Sequence, residues 1–173
     1  LPTLIQSVWG WSVLTTGFAI APGPLMAFFV APPAGRMADR IGNRLILTVC
    51  GSSGAIGMGL FIINFGAEPQ YLSDILLPSL FVGVAAGTGF SQLVGAAMRD
   101  VPPHQYAMGG AGRTTAFQMA IALGIAVAVA IIGRPAGPAE ALAASEDSWM
   151  VGVAAYVAVA VIVAAFYPNK PVA

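Results

Sequence analysis

From Ser12 to Ala34, Leu45 to Gly66, Ile75 to Met98, Thr114 to Gly133 and Trp149 to Tyr167, the sequence holds no Asp, Glu, Lys or Arg. A helix that crosses the hydrocarbon core of a bilayer needs about 20 mostly apolar residues, and all five runs meet or approach that length. Of the 173 residues, 58% are hydrophobic and only 8% are charged, too little polar surface to cover a water-soluble globule. Ten-residue alternating segments are absent, and each run is long enough to satisfy its own backbone, so helices follow rather than a barrel. The expected fold is all-α: a polytopic bundle of about five spans in a lipid bilayer.

Net charge is zero, with seven basic and seven acidic residues, so no global field recruits nucleic acid. Local charge is informative. Arg36, Arg40 and Arg44 lie between the first and second runs, Arg99 and Arg113 between the third and fourth, and Lys170 after the fifth. The other side carries Arg134 with Glu68, Asp74, Glu140, Glu146 and Asp147. Basic and acidic sides alternate without a break, which predicts a cytoplasmic C-terminus and a multi-pass protein of the plasma membrane. Trp9, Trp11, Tyr71 and Trp149 fall at the outer ends, where amphipathic rings favour the headgroup layer. The lone cysteine, Cys50, lies in an apolar run and reads as a small buried or lipid-facing residue. The chain opens Leu-Pro-Thr, and its first basic residue is Arg36, so the charged start of a signal peptide is missing. It reads as a piece of something longer.

The connection GRMADRIGNRLIL, Gly35 to Leu47, gathers three arginines and an aspartate. One reading is a short turn at Gly42 with arginines anchored to phosphates. Charge bias does not explain Asp39, which weakens it. A carboxylate at the mouth of a helix can cap backbone N–H groups and be clamped by Arg40 or Arg44, and such a loop could latch a helix in one conformation and release it in another.

Gly35, Ala38, Asp39, Arg40, Gly42, Arg44 and Leu47 resemble the signature G-x-L-A-D-R-x-G-R-[KR]-x-x-L of the major facilitator superfamily, with Met37 and Asn43 as departures. The third run lacks the arginine, and the fourth the proline, that follow the amino-terminal copy of the signature, so the chain resembles a carboxy-terminal half. The order of features is similar to the fourteen-helix drug:proton antiporter branch, although Phe117 and Ala120-Ile121 stand where many members have an arginine and a glycine pair. The resemblance implies a missing amino-terminal half as partner, a small-molecule substrate, no cofactor, and a proton gradient as energy source. It makes Gly35, Asp39, Arg40, Gly42 and Arg44 a conformational-switch loop.

Polar residues inside the spans separate cavity helices from peripheral ones. Thr15 and Thr16 in the first run, Thr88, Ser91 and Gln92 in the third, and Thr114 and Gln118 in the fourth are candidate cavity-lining residues, several sharing a face at spacings of three and four. The alternative is that they bond to neighbouring helices. The first run also carries Pro22, Pro24, Pro32 and Pro33, which free carbonyls that only protein or cavity water can satisfy. The fifth run offers only Tyr156 and should be peripheral; the resemblance puts the second run outside as well. Gly83 with Gly87, Ala55 with Gly59, and Ala120 with Gly124 are small pairs suited to close helix approach. His104 reads as a solvated loop histidine or a proton relay, and Arg113 as a snorkelling boundary residue or a substrate contact.

An intramembrane enzyme would need a cluster of His, Asp, Glu or Cys, and no span holds one. The leading expectation is part of a secondary active transporter, a proton-coupled efflux pump for small amphipathic compounds. The alternatives are an importer or metabolite transporter of the same superfamily, or a non-transporting membrane scaffold.

Overall fold

The structure is a computed structural model that describes residues 1–66, 68–98, 101–133, 135 and 137–166, and for 93–98 and 103 the backbone alone. The predicted placements of Arg99, Arg134, Tyr167 and Lys170 lie outside the described residues. Every regular element among them is helical: α1 (Pro2–Trp9), α2 (Val13–Ile20), α3 (Pro22–Ile41), α4 (Asn43–Asn64), a π-helical turn (Leu72–Leu76) running into α5 (Leu77–Met98), a 3-10 turn (Pro103–Gln105), α6 (Tyr106–Ile132) and α7 (Pro138–Phe166). Among the described residues, five stretches are long and apolar enough to cross a membrane: Val13–Ile41, Asn43–Asn64, Leu72–Gln92, Tyr106–Ile132 and Pro138–Phe166.

These agree with the five predicted runs in number and order, and differ at the ends for physical reasons. The first span is two helices in series, because Pro22 and Pro24 have no N–H to give the carbonyls of Phe18 and Ile20. α6 starts at Tyr106 rather than Thr114, so Arg113 is two turns inside a helix, where a Cβ on Gly110 or Gly112 would meet nothing within 4 Å. α7 starts at Pro138, a residue suited to a first turn, and Glu140, Glu146 and Asp147 belong to the helix rather than to the connection before it. Asp74, also expected in a connection, lies within the third span.

α4 is the central helix, packed on one side against α5 and on another against α7, while α3 packs against α5. Its outward stripe of Leu45, Val49, Ser52, Ile56 and Ile63 is exposed and apolar but for one hydroxyl, as a lipid-facing surface requires. Close approach is made by glycine. A Cβ on Gly51 would lie 2.7 Å from the backbone nitrogen of Ala160, and one on Gly54 would enter the ring of Tyr156 on α7. Gly83 and Gly87 meet Gly23 and Ala27 of α3, as the small pair predicts. The other two pairs do not close a contact: Gly59 and Gly124 have nothing within 4 Å, since the tight face of α4 carries Gly51, Gly54 and Gly57 instead. α6 buries none of its 27 residues.

At one end of the bundle, Leu4, Ile5, Phe61, Phe65 and Ile75 form a buried cluster. Trp9, Trp11, Tyr71 and Trp149 pack on its rim, with Trp9 stacked on Phe65 at 4.7 Å and its Nε1 donating to the Gly66 carbonyl at 2.9 Å. All four outer-end aromatics therefore meet at one face. The opposite end holds the α3–α4 corner.

Candidate functional site

α3 ends at Ile41 and α4 begins at Asn43, so Gly42 alone makes the corner. Its φ of 90° is a conformation that a side chain would strain, and its N–H donates to the Ala38 carbonyl at 2.9 Å. Ala34 and Ala38 are buried against Ile46, which clasps the two helices at the turn. Gly35 is half-buried on α3, whereas Arg36, Asp39 and Arg40 are exposed.

The geometry departs from the predicted clamp. Asp39 sits in the last turn of α3, and the start of α4 has no side-chain cap. Because α3 continues to Ile41, the carboxylate is held on the outside of its own helix, and it makes no hydrogen bond or ion pair with any described residue. Arg44 is the residue that reaches across. Its Nη2 donates to the backbone carbonyl of Ala164 in the last turns of α7. A helix C-terminus leaves carbonyls without donors and carries partial negative charge, so a guanidinium is well suited there. Thr48 Oγ1 in turn donates to the Arg44 carbonyl at 2.8 Å. The corner is thus tied to the end of α7.

The candidate cavity residues fall into a buried and an exposed group, with Ser91 half-buried between them. Thr16, Thr88 and Gln92 are buried. Gln92 Nε2 donates to the Ala34 carbonyl of α3 at 3.3 Å and to Ser91 Oγ at 3.2 Å; Thr88 Oγ1 turns back to the Val84 carbonyl at 2.7 Å, and Ser91 Oγ to that of Thr88 at 3.1 Å. Thr16 Oγ1 has no partner among the described residues. Thr15, Thr114 and Gln118 are exposed, with Thr15 bonded to Ser12 at the start of α2 and Thr114 to the Gly110 carbonyl at 2.9 Å.

Cys50 is buried, as its apolar run suggested, while Ser53 and the burial of Asp74 were not foreseen from the sequence. Cys50 Sγ donates to the Ala85 carbonyl at 3.2 Å and Ser53 Oγ to that of Phe81 at 2.7 Å, which bonds α4 to α5. The signal for them was their shared face, three residues apart in an apolar helix. Asp74 is only 2% exposed. Between α3 and α5, a cavity of about 450 Å³ is bordered by Ile20, Gly23, Pro24, Ala27, Val82 and Ala86. The hydroxyls and amides predicted to line a cavity are not among its described lining residues.

A bundle of five membrane-length helices with an Asp-Arg-x-Gly-x-Arg corner is the architecture of a polytopic membrane protein. The whole chain, residues 1–173, matches the family model of the Major Facilitator Superfamily, and it belongs to that superfamily. It is 33% identical over 109 residues to a multidrug resistance protein B homolog of Mycobacterium tuberculosis, a match that covers 63% of this chain and 20% of that protein. It is 28% identical over 126 residues to the riboflavin transporter RibZ of Clostridioides difficile, covering 73% and 27%. It is 26% identical over 107 residues to the multidrug export protein EmrB of Haemophilus influenzae, covering 62% and 21%. The chain thus spans about a fifth to a quarter of the length of these relatives. No solved structure matches it significantly.

Proposed function

We propose that the chain is the carboxy-terminal part of a proton-coupled exporter of small amphipathic compounds in the plasma membrane, with the α3–α4 corner and the C-terminus on the cytoplasmic side. Two halves, this one and an amino-terminal one, would rock about a site near the midplane and expose it alternately to each side. A proton gradient supplies the energy, and no cofactor is needed.

The observation that carries this reading is the corner itself. Asp39 and Arg40 are presented to the surface, and Arg44 anchors the same turn to α7. A charged group free to engage another helix in one conformation and not in another biases a two-state equilibrium by its differential contacts. Four of the relatives found are named for multidrug resistance or export, which favours efflux of amphipathic compounds. The riboflavin transporter supports a second reading, a metabolite carrier on the same scaffold.

The test is efflux by the full-length protein reconstituted in proteoliposomes with an imposed proton gradient. Uphill movement of a cationic dye supports export of amphipathic compounds, and movement of riboflavin but not dye supports the second reading. No movement of either under any gradient refutes both and leaves the scaffold.

A further inference from the structure

On the outward face of α4, at the corner end of the bundle, lies a cavity of about 260 Å³. Its described lining is Arg44, Leu45, Thr48, Val49 and Ser52, which share one face of the helix. Leu45, Val49 and Ser52 belong to the exposed stripe that continues to Ile56 and Ile63, so the cavity opens on the surface that meets lipid.

The wall of this groove changes character along the helix. At its head stands Arg44, half-buried, whose guanidinium carries several N–H donors in a planar fork and gives one of them to the Ala164 carbonyl. Beyond Arg44 the hydroxyl protons are spent on the helix itself: Thr48 Oγ1 donates to the Arg44 carbonyl at 2.8 Å and Ser52 Oγ to the Val49 carbonyl at 3.2 Å. What they leave facing outward is mainly aliphatic.

Charge at this end is unbalanced. No carboxylate among the described residues pairs with Arg44, and Asp39 at the same corner makes no ion pair. Arg36 and Arg40 are exposed beside it, so the corner sets three cations against one anion. Length fits as well. From Arg44 to Ile56 the helix rises about 18 Å at 1.5 Å per residue, against about 15 Å for half of a hydrocarbon core about 30 Å thick.

We propose that this groove holds one anionic phospholipid, with its phosphate on the Arg44 guanidinium and one acyl chain along Leu45, Val49, Ser52 and Ile56. The donors that Arg44 has left suit two phosphate oxygens at once, and the lipid neutralises the guanidinium without competing for the Ala164 carbonyl. A headgroup of net negative charge is preferred to a zwitterionic one because cations outnumber anions at the corner. The inference is independent of what the protein transports and in which direction.

The test uses the full-length protein, stripped of lipid in detergent and titrated with phosphatidylglycerol, phosphatidylcholine or inorganic phosphate, with bound molecules counted by native mass spectrometry. In the wild type, the first phosphatidylglycerol should bind about fivefold to tenfold more tightly than phosphatidylcholine, and equimolar phosphate should not displace it. Ser52→Trp fills the groove and leaves Arg44 in place; it should lose this tight lipid while its unfolding midpoint without lipid stays at the wild-type value. Arg44→Gln keeps a donor for the Ala164 carbonyl and should lose the preference between the two lipids. Arg36→Gln removes the same charge from outside the groove and should keep that preference. Equal affinity of the wild type for both lipids, or wild-type binding by Ser52→Trp, overturns the inference. So does an equal loss in Arg36→Gln and Arg44→Gln, which would mean bulk attraction to the corner, and so does displacement by phosphate, which would mean a site for free anions. If Arg44→Gln fails to fold, Ser52→Trp and Arg36→Gln decide.

Discussion

Arg44 Nη2 and the Ala164 carbonyl oxygen, 120 positions apart in the chain, are joined by a hydrogen bond that ties the first turn of α4 to the last turns of α7. A charge at a helix C-terminus is worth about 0.3–2 kcal/mol, more where it is partly buried. Arg44→Ala should therefore lower the midpoint of thermal unfolding in detergent, and Arg44→Lys should recover part of the loss. Equal midpoints for all three proteins would show that the bond contributes nothing.

Gly54 faces the Tyr156 ring with no space between them, whereas Gly59 on the same helix has nothing within 4 Å. Gly54→Leu should cost about 1–3 kcal/mol through overpacking and reduce the amount of folded protein recovered from membranes. Gly59→Leu should be recovered at the wild-type level. Fluorescence-detected size exclusion of tagged variants makes the comparison directly.

Asp39 and Arg36 stand on the same surface, but only Asp39 belongs to the Asp-Arg-x-Gly-x-Arg corner. Under the latch reading, Asp39→Asn and Asp39→Ala slow efflux at matched membrane levels, and Arg36→Ala does much less. Under the anchor reading the order reverses, because losing Asp39 strengthens the basic bias and losing Arg36 weakens it. Wild-type efflux by Asp39→Asn would mean that the corner only anchors.

Arg36→Cys and Asp147→Cys, each made in a Cys50→Ala background, probe the two ends of the bundle. An impermeant thiol reagent should label Arg36→Cys only from the cytoplasm and Asp147→Cys only from outside. Labelling of both from one side would refute the predicted topology.

Residues 1–173 alone should carry no proton-driven flux in liposomes, since a pathway built between two halves needs both. Flux above that of empty vesicles would contradict the two-half mechanism.

Charge-free runs made the five spans legible in the sequence, and Gly42 between two charged turns made the corner legible. The helix ends were harder to read. Hydropathy measures apolar length and not the helix, so the fifth run starts at Trp149 although α7 extends back through Asp147, Glu146 and Glu140. The same cut left Asp74 outside the third span, where its burial depends on α2 and α4 folding over it. The partner of Arg44 was illegible for another reason: a backbone carbonyl accepts identically whatever residue bears it, so Ala164 leaves no mark in the sequence.

Along the seam between α4 and α7, the bare backbone of Gly51 and Gly54 is filled by Ala160 and the Tyr156 ring. Few rotamers can rearrange there to absorb a displacement. The seam runs from Arg44 to the stack of Phe61 on Trp149, about 25 Å at 1.5 Å per residue. A displacement of the charged corner would therefore be shared by α4 and α7 together rather than absorbed between them.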